Sequence, residues 1–340
     1  MVGFAHGLDG TGYSMTVMSG APEETFRYHG FTSFQRKDMN AFSTEIAKAD
    51  ALVFAGGSIF QDVTSVMSVS YYQGLVTKAK KAGKKVFMLG QGVGPLNNFL
   101  GKRMAASAFN SADAIVVRDP NSISTLKALG VKTPMKVGAD LAFLLPEQVN
   151  QEDVQSFTVG DMKSIGIAPR PWGKDKKMVV ELFGELCRLL FQSKMMPVLI
   201  EMDREHDGPL IAEISKQQGG RIPDLRKQNT PMQIQGRMSR MDGIIAMRLH
   251  AGILAATVGV PPLMVNYDPK VAAFAKMLDL GTNVNIENLT AQRLFDSFQN
   301  FYRDRERNAK ILQRKREEFR TLAEINIQVL KEGLASRVSA

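Results

Sequence analysis

Short apolar runs rich in valine, isoleucine and leucine recur along the chain. Longer segments with helical spacing of their apolar positions separate them. In the first half Met15–Met18, Leu52–Ala55, Val86–Leu89, Ile115–Val117 and Met135–Val137 read as strands. Asn40–Ala49, Ser68–Ala82, Lys102–Ser111 and Asn121–Leu129 read as helices between them. The strands are apolar on both faces, the pattern of a parallel sheet covered by helices. Gly83 and Gly130 stand where helix C-termini call for a left-handed residue.

Residues 146–163 are polar and without clear period, and read as a linker. A second alternating series follows. Its strands are Ser164–Ala168, Pro197–Ile200, Gly243–Ala246 and Pro262–Val265. Its helices are Lys177–Ser193, Asp207–Gln217, Met232–Met241 and Ala251–Val258. A charged helical pattern from about Ala291 to Lys331 closes the chain. The expected architecture is α/β, with two tandem Rossmann-like domains at 1–150 and 160–288 and one long C-terminal helix at 289–335. A chain of 340 residues suits two domains, because single cores rarely grow past about 250–300 residues. Ligands in such sheets bind outside the carboxyl ends of the strands, so a cleft between the halves is the expected place for chemistry.

Composition narrows the class. Hydrophobic residues make up 44% of the chain, and Gly 29 and Pro 14 exclude collagen-like or wholly disordered chains. No apolar run approaches the roughly 20 residues of a membrane span. The N-terminus has no basic region followed by an apolar stretch, so no signal peptide is expected. The single cysteine, Cys187, sits in a helical pattern with Leu186, Leu189 and Leu190 and reads as a core residue. A reducing cytoplasm fits, with peripheral contact at the inner face of the membrane as an extension of that placement. Lysine and arginine total 43 against 34 acidic residues, a net charge of +9. Much of the excess lies in Lys78–Lys85 and Arg303–Arg316, which read as solvated helix faces. It also suits anionic small substrates or an anionic membrane. No zinc-finger spacing or aromatic-basic motif supports nucleic acid.

Candidate chemistry gathers at strand ends. Leu52–Ala55 runs into Gly56-Gly57-Ser58, and Val86–Leu89 into Gly90-Gln91-Gly92-Val93-Gly94-Pro95. Glycine lets backbone N–H groups approach an anion, although both runs also fit tight strand-to-helix turns. Met247-Arg248-Leu249-His250 follows the strand Gly243–Ala246. If the chain stays extended through Leu249, Arg248 and His250 project to one side. Arginine forks onto carboxylate or phosphate, and histidine donates protons near neutrality. A structural arginine and a buried histidine fit the same spacing. Arg118 and Arg170 also end strands, with Asp119 placed to pair with Arg118. Asp203 follows Pro197–Ile200, and His206 beside it reads as a loop residue. His6 and His29 read as surface residues. No His/Asp/Glu cluster has metal-ligand spacing, so no metal is expected.

Several stretches together resemble the polysaccharide pyruvyl transferase family, most closely its bacterial cell-wall type. They are Met18–Thr25, Gly56–Ser65, Tyr71-Tyr72, Gly90–Pro95, Val117-Arg118-Asp119 with Ser122, Gly138-Ala139-Asp140, Arg170-Pro171-Trp172, Met247–His250 and Tyr267–Val271. The resemblance implies a fold like that of B-type glycosyltransferases. It implies phosphoenolpyruvate as donor, no further cofactor and no metal. The acceptor is a sugar, in the cell-wall type a lipid-diphosphate-linked disaccharide, and the product a pyruvate ketal that anchors surface-layer proteins. On this basis His250 is the proton donor and Arg248 the anion clamp. Arg118 and Arg170 meet the remaining negative charge, and Asp203 orients the acceptor. Gly56, Gly57, Ser58, Gln91 and Lys270 complete the substrate-binding set. The chain departs from the family pattern before Tyr13, where a first strand and glycine-rich turn are usual and none is expected here. Ala55 and Leu141 replace a usual glycine and proline. Two other functions fit the fold: a nucleotide-sugar glycosyltransferase, and a non-catalytic sugar- or polyanion-binding protein.

Overall fold

The computed structural model describes residues 1–62, 65–146, 160–173, 176–225, 230–281 and 283–335. It divides into two compact units, Met1–Leu145 with Glu318–Ala340, and Pro146–Glu317. Most of the expected linker, residues 147–159, lies outside the described residues.

Unit 1 runs α1 (Val2–Gly7), β1 (Val17–Ser19), α2 (Pro22–His29), β2 (Ser33–Gln35), α3 (Met39–Lys48), β3 (Ala51–Ala55), α4 (Val66–Lys81), β4 (Lys85–Gln91), α5 (Phe99–Asn110), β5 (Ala114–Val117), α6 (Pro120–Ala128), β6 (Met135–Val137) and a 3-10 turn (Leu141–Leu144). Strands β3-β4-β5-β6 form a parallel sheet in chain order. β1 and β2 pair in parallel as a separate two-stranded sheet. Side chains decide where the helices begin: Asp38, Ser65, Asn98 and Asp119 each accept a backbone N–H at the starts of α3, α4, α5 and α6. The rings of Phe54, Phe60, Tyr72 and Phe109 stack into one cluster under this sheet. A ring buried as completely as Phe60 or Phe109 contributes about 1.5–3 kcal/mol.

Unit 2 runs β7 (Lys163–Ala168), α7 (Lys176–Gln192), β8 (Met195–Ile200), α8 (Arg204–Gln217), β9 (Asp224–Leu225), α9 (Pro231–Met238), β10 (Gly243–Ala246), α10 (Leu249–Thr257), β11 (Pro262–Asn266), α11 (Pro269–Leu278), β12 (Val284–Asn285) and α12 (Ala291–Arg303). Helix α13 (Arg305–Ala335) begins here and ends in unit 1. The six-stranded sheet has order β12-β11-β10-β7-β8-β9, and its recorded pairs are parallel. The chain builds outward from β7 through β8 and β9, then returns to the other side of β7 through β10. Strand order therefore reverses at β7. Such a reversal opens a crevice at the carboxyl ends of the flanking strands, where ligands of doubly wound sheets bind.

The C-terminal helical pattern, expected as one helix, is two. Its apolar positions stay in phase across the break, with Phe298 and Phe301 before it and Leu312 and Phe319 after, all buried. The pattern therefore conceals the break. The buried Asn308 makes it, because its Nδ2 donates to the carbonyl of Phe301 at 3.2 Å. A continuous helix would fill that carbonyl with the N–H of Arg305. No helix among the described residues is long and apolar enough to cross a membrane.

Candidate functional site

Four strands of unit 2 deliver charged or hydroxyl side chains to the switch point. Arg170 follows β7. Its Nη1 donates to the Tyr267 hydroxyl just after β11, and its guanidinium carbon lies 4.8 Å from the Tyr267 ring centroid. Burial pushes the Tyr267 hydroxyl above its ordinary range; Asp268 adds to that, and Arg170 and Arg248 oppose it. The Tyr267 phenol thus joins the ends of β7 and β11 through Arg170.

From β8 the chain enters α8, capped by Asp203. One turn on, Asp207 is wholly buried. Its carboxylate accepts the backbone N–H of Met202 at 3.3 Å and of Asp203 at 3.1 Å. It also accepts Nε of Arg248, at 3.0 and 3.1 Å from the two oxygens, and Nη2 of Arg248. Burial pushes the Asp207 carboxyl above its ordinary range, and the Arg248 fork opposes this. Asp203 shows the reverse balance. Burial pushes its carboxyl up, but hydrogen bonds from the His206 side chain and N–H and the charge of Arg248 outweigh burial and leave it low. Oδ2 of Asp203 is 3.0 Å from His206 Nδ1 and 3.7 Å from Arg248 Nη2. One carboxylate oxygen thus bridges a histidine and an arginine.

The chain does not stay extended through Leu249. Arg248 is the N-cap of α10, with extended dihedrals of −72° and 124°, and Leu249 is already helical. The cause is packing. Nearly all of α10 is buried, and Gly252 lies so close to β11 that a Cβ there would sit 2.3 Å from Met264 Sδ. The helix must therefore begin at the sheet edge. Leu249 turns into the core, while His250 in the first turn is exposed. Strand alternation is not what relates Arg248 to His250, and His250 is not a buried core histidine. Nor does any side chain cap α10, whereas Asp203, Thr230 and Asp268 cap α8, α9 and α11. Arginine has no acceptor to offer at that position. Lys270 lies in the first turn of α11, its Nζ 3.5 Å from Asp268.

The other expected site residues form a separate set in unit 1. Gly56 and Gly57 turn the chain after β3 with φ of 78° and 87°. The two glycine-rich turns bond to each other, Gly92 N–H to the Gly57 carbonyl at 2.8 Å and Gly94 N–H to the Phe60 carbonyl at 3.1 Å. Val93 N–H is taken by Ser122 Oγ. Several donors expected to face an anion are thus engaged within the turns. Gln91 is wholly buried and donates to the carbonyls of Phe54, Gly56 and Leu89, so it braces β3 against β4 and does not face a substrate. Arg118 is buried with Asp140 at 2.9 Å and Ser58 Oγ at 2.8 Å. Its partner is Asp140, not Asp119, which caps α6 instead. A Cβ on Gly92 would lie 2.7 Å from this guanidinium, so only glycine fits there.

Residues 8–269 match the family model described as polysaccharide pyruvyl transferase. The chain belongs to the polysaccharide pyruvyl transferase family. The amylovoran biosynthesis protein AmsJ of Erwinia amylovora is 22% identical over 263 residues, covering 71% of this chain. The match spans only 62% of the length of AmsJ. Among solved structures, a glycosyltransferase from Rickettsia africae superposes with a TM-score of 0.62 at 12% identity, covering 98% of this chain and 93% of its own. The UDP-GlcNAc 2-epimerase of Neisseria meningitidis gives 0.60 at 12% identity, covering 94% and 91%. These likenesses establish the fold, a Rossmann-like α/β architecture of the B-type glycosyltransferase class.

Within unit 2, Arg170, Asp203 and Arg248 come together at one switch point with Tyr267. Gly56, Gly57, Ser58, Gln91 and Arg118 come together in unit 1. Three residues of the unit 2 cluster carry geometry that the sequence reading missed. Tyr267 stood in a recognised stretch with no role given to it. His206 is in the first turn of α8, not in a loop, and the Asp203-x-x-His206 spacing of an N-cap and its third helical residue was the available signal. Asp207 shares the apolar stripe of Leu210, Ile211 and Ile214, and an acid on such a stripe is a buried acid needing a partner. Among the described residues no group of three or more His, Cys, Asp or Glu is placed to hold a metal.

Proposed function

We propose that this chain transfers the enolpyruvyl unit of phosphoenolpyruvate to a sugar, forming a cyclic pyruvate ketal. The observation that supports this reading best is the pair of arginines at the unit 2 switch point, beside a helix N-terminus that no side chain caps. Among the described residues Nη1 of Arg248 has no acceptor, since its partners sit on Nε and Nη2. Phosphoenolpyruvate carries a carboxylate and a phosphate. Arg248, Arg170 and Lys270 supply cations for both, and the start of α10 adds the positive end of its dipole.

In the proposed reaction His250 protonates the methylene carbon. The ester carbon becomes oxocarbenium-like, and a sugar hydroxyl attacks it. The carbon–oxygen bond to phosphate breaks, and a second hydroxyl closes the ring. Of the two hydroxyl protons, one replaces the proton that became part of the methyl group and the other leaves with phosphate. A base must accept the first. The His206–Asp203 pair suits that role, because a carboxylate on Nδ1 favours the tautomer with a basic Nε2. The acceptor class is a sugar with two hydroxyls placed for a cyclic ketal, on a diphosphate lipid or within a polymer. Anchoring of surface-layer proteins belongs to the same proposal.

The test is phosphate release from phosphoenolpyruvate across a panel of sugar acceptors, with the ketal methyl group followed by NMR. Release that depends on acceptor and yields a ketal supports the reading. Nucleotide release from a sugar nucleotide, with phosphoenolpyruvate untouched, replaces it with glycosyl transfer.

A further inference from the structure

We propose that the carboxyl rim of the unit 1 sheet docks on an anionic lipid surface, through Met67, Phe99 and Leu100 with Lys102 and Arg103. This goes beyond the transfer chemistry and does not depend on it. β3 and β4 are adjacent parallel strands, so the helices that follow them, α4 and α5, begin at the same rim. Met67 is the second residue of α4, and Phe99 and Leu100 are the first two of α5. They are 73%, 69% and 60% exposed, the three largest exposures of large apolar residues among the described residues apart from Phe26.

The rim is rigid. Asp62, before α4, accepts the N–H groups of Asn97 at 2.8 and 2.9 Å and of Asn98 at 2.7 Å. Gly101 presses on the same carboxylate, since a Cβ there would lie 2.8 Å from it. The turn that leads into α5 is therefore tied by hydrogen bonds, and the apolar side chains at the helix start stand exposed beyond it.

Charge complementarity selects the occupant. Lys102 and Arg103 are exposed directly behind Phe99 and Leu100, and the Arg103 guanidinium lies 5.7 Å from the Phe99 ring centroid. Neither α4 nor α5 contains a single acidic residue. Both helices direct their positive N-terminal ends toward the rim. Aromatic and aliphatic side chains that enter the headgroup boundary, backed by cations that reach phosphates, are the composition of an interfacial anchor.

The experiment is flotation of the full chain with two vesicle types, phosphatidylcholine alone and phosphatidylcholine mixed with phosphatidylglycerol. Wild type is expected to float with the mixed vesicles and not with phosphatidylcholine alone. The triple variant Met67→Ser, Phe99→Ser, Leu100→Ser, and separately Lys102→Glu with Arg103→Glu, should each lose roughly tenfold or more of the partition coefficient, since one basic residue near such a surface is worth about a factor of five. Lys78→Glu with Lys81→Glu, at the far end of α4, should leave it unchanged. All the altered side chains are exposed, so the melting temperatures should match wild type. Failure of wild type to float, retention of floating by the apolar triple, or equal loss in the Lys78/Lys81 variant overturns the proposal. So does a concentration-dependent dimer in solution that the triple abolishes, because the patch then joins two copies. Phosphate release with a soluble acceptor is expected to be the same in every variant, which separates this proposal from the one about chemistry.

Discussion

Replacing Asp207 with asparagine is the sharpest perturbation of the unit 2 site. The carboxylate has two jobs that need two oxygens. Oδ2 holds the backbone N–H groups of Met202 and Asp203, and both oxygens receive the Arg248 guanidinium. Asparagine has one acceptor oxygen and an NH2 group. If the oxygen faces Arg248, the NH2 faces two backbone donors; if it faces the backbone, the NH2 faces the guanidinium. Either way buried donors lose their acceptor. A lost hydrogen bond to a charged group costs about 1.5–3 kcal/mol, and breaking a buried ion pair costs about 3–5 kcal/mol. Arg248 retains some solvent contact, its side chain being 16% exposed, so about 2–4 kcal/mol is the reasoned figure. A unit of this size loses about 2–4 °C per kcal/mol, which gives a fall of about 5–15 °C in the unit 2 melting transition. Scanning calorimetry of Asp207→Asn beside Asp203→Asn reads it, because Asp203 is half-exposed and its variant should move little. The double variant Asp207→Asn, Arg248→Met should cost less than the sum of its singles. A melting temperature within a degree or two of wild type, or strict additivity, refutes the claim that Asp207 holds Arg248.

Four other outcomes follow from the same geometry. Arg248→Lys should weaken phosphoenolpyruvate binding by roughly tenfold or more in calorimetry, because lysine cannot fork onto Asp207 and an anion together; unchanged affinity would move the donor anion to Arg170 or Lys270. His250→Ala should lower turnover by about 10²-fold with little change in donor affinity, and near-normal turnover would remove it as the proton donor. The folded pKa of Asp207 is raised, so its contribution to stability is fully present below the ordinary carboxylate value and is lost as pH rises through the raised value. Asp207→Asn should flatten that part of the stability–pH curve, and an unchanged slope would assign it to another group. Cys187 is wholly buried, and burial pushes its thiol up to about 12, so an aromatic disulfide reagent should react only after denaturant is added; fast labelling of the native chain would show the core opening there.

The sequence by itself determined the element pattern and the places where chemistry gathers. Apolar runs at β4, β5, β7, β8, β10 and β11 are legible because a strand buried on both faces has little freedom of composition. Glycines after strands, and arginines at 118, 170 and 248, are legible because strand ends of parallel sheets are local features. α2 and α11 were passed over: both open at a proline, α2 carries too few apolar positions to mark a period, and α11 is apolar on too many sides to show one. Tertiary structure alone decided the rest. The strand order that makes β7 the switch point depends on which edges pair, and strand composition does not encode that. Asp207 meets Arg248 across 41 residues of chain, and no local pattern predicts the pair. His250 faces solvent because α10 must begin early to seat Gly252 on Met264, a constraint that comes from β11. Gln91 looked like a ligand-facing residue of a glycine-rich turn, yet two carbonyls of the β3 end and one of its own strand draw its amide inward. Local spacing fixes what a residue can do, and only packing against distant segments fixes which way it points and which partner it meets.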